Sequence, residues 1–242
     1  MSGGLSAQDI LFVWERGRAL HPVDRALLLL AAAAPELPHN ALAGMPVGER
    51  DSRLMRVRAQ TLGERFDAVT NCPSCAGALE FSFPARDFIG AAPNAPDPIA
   101  TVWEEIELRL RSPDSRDLAT AANLDVANGR RLLLGRCLVS ASRAGENFSA
   151  ADLPQGAAEA AANLLAQRNP CSDIRFAVRC DACGHAWSVP FDIAAYLWSE
   201  ISALARGILR DVVQLARLYG WSESEILSLS PARRQLYLEM AV

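Results

Sequence analysis

Two short cysteine motifs far apart in the chain, Cys72-Pro-Ser-Cys75 and Cys180-Asp-Ala-Cys183, restrict the fold more than any other feature. Each lies between two runs in which apolar residues alternate. With Cys72 laid over Cys180, Phe66, Ala68 and Thr70 fall on Ile174, Phe176 and Val178, while Leu79, Phe81 and Phe83 fall on Trp187, Val189 and Phe191. Alternation of period two on both sides of a tight turn predicts a β-hairpin with two thiols at its tip. Gly77 and Gly184 suit the sharp turns after the second cysteines. Two such tips facing each other supply four sulfurs, the closed tetrahedral set that structural zinc takes. The sequence therefore predicts a split zinc ribbon, with Cys72, Cys75, Cys180 and Cys183 as ligands of a structural zinc. Residues 76–179, 104 in all, separate the halves. Ordinary ribbons have about 15–20 residues there, but loop-closure entropy rises only logarithmically with length. A disulfide pair or unliganded buried thiols are the alternatives.

The remaining chemistry is narrowed by composition. A chain of 242 residues, half of them hydrophobic and 21% charged, has the make-up of a soluble globular protein with a substantial core. Its net charge is −4, and the knuckles carry Pro73, Ser74, Asp181 and Ala182. Nothing there offers phosphates or bases a basic or aromatic surface, so a nucleic-acid-binding zinc ribbon is the alternative function rather than the leading one. A catalytic zinc keeps a position open for water, whereas four thiolates close the shell. With three histidines and no paired base, no enzyme is expected and no catalytic residue is assigned. The longest apolar run, Ala26 to Pro35, is too short for a bilayer. The opening Met-Ser-Gly-Gly-Leu-Ser carries no export pattern, so a cytoplasmic location is expected.

The expected fold class is α+β, mainly α-helical: two ribbon hairpins, a mostly helical insertion and a long C-terminal helix. Five segments follow: an N-terminal helical segment (1–65), the first ribbon half (66–84), an inserted strand and helical lobe (85–173), the second half (174–191), and a C-terminal helical segment (192–242). In the first segment, helices are predicted from a Ser6 cap to Leu20, over Val23–Ala34 and over Val47–Leu62. Leu54, Val57 and Leu62 should face inward, with Glu49, Arg50, Asp51, Arg53 and Arg56 forming a solvated face. In the lobe, a proline-rich linker at 91–99 precedes one strand, Val102 to Leu110. Helices capped by Ser115 follow at 117–124, then at 126–140 and 155–168. From Asp192 a 3.6-residue periodicity runs to Gly220, a C-cap glycine. Ser222 to Glu225 forms a capping box, and Ser230-Pro231 opens a last helix. Cys137 and Cys171 read as small buried hydrophobes, Trp198 and Trp221 as core, and His185, Arg233 and Arg234 as solvent-facing.

The C-terminal sequence carries a resemblance. After a helix bearing Leu197-Trp-Ser-Glu-Ile and Leu209-Arg-Asp-Val-Val-Gln-Leu-Ala-Arg-Leu-Tyr come Tyr219, Trp221, Glu223, Glu225, Ile226, Leu227, Leu229, Arg233, Arg234, Tyr237 and Leu238. In that spacing they resemble the T-even-type phage baseplate hub and hub-assembly proteins. The likeness extends to their zinc-ribbon-bearing relatives in contractile tails and contractile injection systems. Val47-Gly-Glu-Arg-Asp-Ser-Arg-Leu is similar to the same relatives, whereas the lobe is not placed by the resemblance. It implies a non-enzymatic structural or assembly role in a baseplate, with other baseplate or hub/spike proteins as partners. Leu236, Tyr237 and Leu238 are consecutive and cannot all point one way, so part of the last segment is expected to meet a partner.

Overall fold

Ser6 opens the first helix because its hydroxyl accepts the Asp9 N–H while the Asp9 carboxylate accepts the Ser6 N–H. That reciprocal cap satisfies two donors the helix itself cannot. The computed structural model describes residues 4–89 and 98–240. Within it, α1 (Ala7–Gly17) leads to α2 (Pro22–Ala33), α3 (His39–Ala43) and α4 (Val47–Leu62). The hairpin of β1 (Arg65–Asn71) and β2 (Ala78–Pro84) follows. The insertion holds β3 (Ile99–Trp103), β4 (Ile106–Leu110), α5 (Ser115–Ala121), α6 (Val126–Cys137), β5 (Leu138–Arg143), β6 (Glu146–Asn147) and α7 (Gln155–Arg168). A second hairpin, β7 (Ile174–Arg179) and β8 (Ala186–Phe191), precedes α8 (Ile193–Tyr219), α9 (Glu223–Ser228) and α10 (Pro231–Glu239). The fold is thus α+β and mainly helical. Of the expected linker at 91–99, residues 91–97 lie outside the described residues.

Both hairpins, α4, α8 and the two C-terminal caps stand where the sequence puts them. Gly220 ends α8 at φ 72°, and Ser222 and Glu225 cap each other. The short α3 has no capping side chain and no sequence signal behind it.

The insertion departs from expectation. Glu104 takes φ 50°, and the single strand expected from Val102 to Leu110 becomes the β3–β4 hairpin of a four-stranded sheet, ordered β3-β4-β5-β6. Thr101 pairs with Leu108 and Trp103 with Ile106, so Ile99, Thr101 and Trp103 share the face of Ile106, Leu108 and Leu110. Val102, one residue out of step with that face, is exposed. The helix expected to reach 140 ends at Cys137, because the next residues pair with β4 and bury Ala141 opposite Leu108. Asp114, not Ser115, caps α5, its carboxylate accepting the Arg116 and Asp117 N–H groups. The lobe therefore has its own core, in which Ala157 and Ala161 of α7 cover Ile106, Leu108 and Leu110. The larger core gathers α1, α2, α4, both hairpins and α8.

The charge run of α4 is also corrected. Arg50 and Asp51 are buried, joined at 2.7 Å, and Arg50 donates to the Ser115 hydroxyl at 3.3 Å. Val47 N–H donates to the Pro113 carbonyl at 2.8 Å. The beginning of α4 is thus a polar seam against the lobe, and burial pushes the Asp51 pKa up despite the pull of Arg50. Glu49 and Arg53 keep the solvated role, as an i,i+4 pair at 2.8 Å.

The lobe is pinned by Asp117, whose fully buried carboxylate receives Arg111 through two nitrogens (2.6 and 2.9 Å) and Arg136 Nε at 2.6 Å. Burial opposes its charge. The Arg111, Asp114 N–H and Arg136 hydrogen bonds outweigh that, holding its pKa at about 2 instead of 3.8. A depressed carboxylate pKa gives stability that is complete above the unfolded value, and loses it as pH falls from about 4 to about 2. Asp117→Asn leaves two arginines facing a neutral amide and should lower the unfolding free energy at neutral pH by about 3 kcal/mol. It should also flatten the acid limb, as urea titrations across pH will read.

Candidate metal centre

Each cysteine tip is built by the same two backbone bonds. Cys72 N–H donates to Gly77 C=O at 2.9 Å and Ala76 N–H returns to Cys72 C=O at 2.8 Å. In the second tip, Cys180 N–H donates to His185 C=O and Gly184 N–H to Cys180 C=O, both at 2.8 Å. The residue after the second cysteine is left-handed in both, Ala76 at φ 60° and Gly184 at φ 74°. The glycine expected at the first turn, Gly77, is one residue beyond that position. Strain is therefore stored at Ala76 and avoided at Gly184. Gly184→Ala meets no atom within 4 Å, so its effect isolates backbone strain. It should cost about 1 kcal/mol in thermal or urea unfolding of the metal-loaded protein.

What brings the tips together is an aromatic wall. Phe83 stands 4.5 Å from Phe176 and 5.1 Å from Phe191 between ring centroids, so each hairpin presents its inward rings to the other. Phe66 stacks on Phe83 at 5.1 Å and on Tyr196 of α8 at 5.5 Å. The Tyr196 hydroxyl donates to Asp67 C=O and accepts Asp67 N–H, tying the free edge of β1 to α8. Arg58 of α4 lies 4.2 Å over the Phe66 ring and donates to the Gly63 and Arg65 carbonyls and to both oxygens of Glu200. Sequence reading missed Arg58 and Tyr196 as supports of the site, since neither stands near a cysteine in the chain.

The four predicted cysteines converge. Sγ atoms of Cys72 and Cys183 are 3.6 Å apart, as are those of Cys75 and Cys180, and all four lie within 4.8 Å of one another. A metal bound at about 2.3 Å in tetrahedral geometry spaces its sulfurs by about 3.8 Å, so these residues are placed to hold one ion. Cys72 and Cys180 are buried and Cys75 and Cys183 exposed. Burial opposes ionisation of Cys72, but the Cys75 and Ser74 N–H groups and the Cys183 thiol bring its pKa down to about 7. The Gly77 N–H favours the Cys75 thiolate, yet the other three sulfurs push its pKa up to about 12. Four crowded sulfurs repel a second negative charge unless a cation sits between them. His185 is exposed, stacks on Trp187 and is outside the cluster. Cys137 and Cys171 are buried elsewhere, Cys171 donating to Phe88 C=O at 3.3 Å.

Fold and thiol cluster together define a mainly helical α+β protein with a candidate four-cysteine metal centre. A model of the T4 bacteriophage base plate protein family matches residues 30–198, and the chain belongs to that family. The match spans both knuckles and the lobe, and it ends at the start of α8. The residues from Tyr219 to Leu238 that carry the resemblance lie outside it, whereas the similar stretch from Val47 to Leu54 lies inside it. No curated protein and no solved structure matches the chain. Among the described residues, no helix is long and apolar enough to cross a membrane.

Proposed function

We propose that the chain is a non-enzymatic structural or assembly protein of the baseplate of a contractile phage tail or contractile injection system. It works with other baseplate or hub/spike proteins, and its fold is clamped by one zinc on Cys72, Cys75, Cys180 and Cys183. The observation that carries this reading is the convergence of four thiols inside the stretch that matches the base plate family. An all-sulfur set suits zinc or iron, and tetrahedral thiolates with no open position suit a structural ion. On this reading the lobe at 85–173 is inserted between the ribbon halves at 66–84 and 174–191.

Elemental analysis of the purified chain should return one zinc and no iron per molecule. Deletion of its gene should abolish complete baseplates, visible by electron microscopy of released particles. Intact, contractile particles from the deletion would overturn the baseplate role. An apo protein that is folded, or an iron-loaded one, would overturn the zinc assignment.

A further inference from the structure

Among the described residues, the buried charges are met inside the chain. Arg50 pairs with Asp51, Arg58 with Glu200, and Asp117 with two arginines. Arg234, expected in solvent, is only 4% exposed, donates to Leu229 C=O at 2.7 Å and pairs with Asp211 at 3.7 Å. The reactive groups left over are sulfurs. Cys137 and Cys171 are sealed, whereas the second cysteine of each knuckle, Cys75 and Cys183, opens to solvent. Each exposed sulfur stands 3.6 Å from the buried first cysteine of the opposite hairpin, Cys75 from Cys180 and Cys183 from Cys72. A disulfide needs about 2.05 Å between sulfurs, so each crossed pair has roughly 1.5 Å to close. The facing rings of Phe83, Phe176 and Phe191 keep the two hairpins in place for that closure.

Four sulfurs could also pair in two other ways. A bond within a knuckle closes a ring over three positions, whereas the crossed bonds close over 111 and 105. The longer rings restrain the unfolded chain far more. Pairing Cys72 with Cys180 would join two buried sulfurs, neither of them open to an oxidant. We propose that Cys75 and Cys183 are oxidation sites, and that hydrogen peroxide converts the centre into two crossed disulfides, Cys75–Cys180 and Cys72–Cys183. In each pair the exposed thiolate attacks one peroxide oxygen, the O–O bond breaks and hydroxide leaves, giving a sulfenic acid. The buried thiolate then attacks that sulfur, the S–O bond breaks and a second hydroxide leaves. Two sulfurs lose two electrons and one peroxide gains them, so the four cysteines consume two peroxides. Disulfide sulfurs are not thiolates and no longer hold a metal, but they keep the hairpins joined. The inference rests on the zinc and baseplate readings above. A tail particle leaves a reducing cytoplasm for an oxidising medium, where disulfides persist.

The test treats the full zinc-loaded chain with hydrogen peroxide. A thiol count in denaturant should fall from six cysteines to two, Cys137 and Cys171, as the zinc is released. Cleavage before aspartates, without reduction, separates fragment 67–86, with Cys72 and Cys75, from 173–180, with Cys180, and 181–191, with Cys183. Mass spectrometry should find all three linked, and fragmentation at Pro73 should place 181–191 on Cys72 and 173–180 on Cys75. The oxidised, metal-free chain should keep its helical circular dichroism in a chelator and lose it when dithiothreitol is added. Disulfides within the knuckles, the swapped pairing, sulfinic acids in place of disulfides, or loss of helicity on oxidation overturns the proposal. Zinc is measured first, on the reduced chain. Any of those failures in a chain with full zinc sinks the oxidation sites alone. A chain without zinc sinks the zinc reading, and the disulfide map still decides this one.

Discussion

Serine in place of Cys72 is expected to strip the metal from the chain and to leave it largely unfolded at room temperature. Structural zinc sites bind with roughly 10–16 kcal/mol of apparent free energy, as large as the whole stability of a typical domain. A bound ion would join tips that are 108 positions apart in sequence (Cys72 over Cys180) and that also meet through phenylalanine rings. Three thiolates and a hydroxyl cannot close a tetrahedral shell as four thiolates do. Circular dichroism should show the loss of α8 helicity alongside the elemental analysis, and Cys180→Ser should behave alike. Cys137→Ser and Cys171→Ser, both outside the cluster, should keep one metal per chain. Full zinc in Cys72→Ser would defeat the assignment.

Arg58 sets the second large effect. Its guanidinium grips Glu200 through two bonds of 2.9 and 2.6 Å, covers Phe66 and satisfies two carbonyls at the α4–β1 corner, with only 6% of the side chain exposed. Arg58→Met would leave Glu200 half-buried without its partner and two carbonyls unpaired, lowering the unfolding free energy by about 3–5 kcal/mol. Arg58→Lys should recover little, because an ammonium cannot make the fork and the ring stack together. Adding Glu200→Leu to Arg58→Met should restore part of the loss, since no uncompensated charge remains. A loss under about 1 kcal/mol in Arg58→Met, the size of a surface pair, would show that the hairpin and α8 do not depend on this contact.

What the sequence revealed was whatever short-range pattern decides. The knuckles were legible because the four ligands come in two local pairs, each framed by period-two alternation that the structure keeps. The caps of α8, α9 and α10 were legible because capping chemistry is local. Burial of Arg50 and Asp51 was not, because the lobe that covers them lies far along the chain: Ser115 is 65 residues beyond Arg50. The β3–β4 hairpin hides for a different reason. Its turn is Glu104-Glu105, with neither glycine nor asparagine to mark the left-handed residue. Ala76 hides its turn in the same manner, and there the neighbouring Gly77 points to the wrong position.

Crossed thiol pairing, Cys72 with Cys183 and Cys75 with Cys180, also sets an order of events on the ribosome. The first two sulfurs emerge while the other two are still untranslated. At a synthesis rate of about 5–20 residues per second, that half-site waits on the order of 10 s for its complement. During that interval β1 and β2 form only an isolated hairpin, which is marginal in water. The lobe, with its separate core under α7, is complete before Cys180 is made and can fold while the first tip stands open. On the zinc reading proposed above, a cell short of available zinc would accumulate chains with a finished middle and unclosed ends.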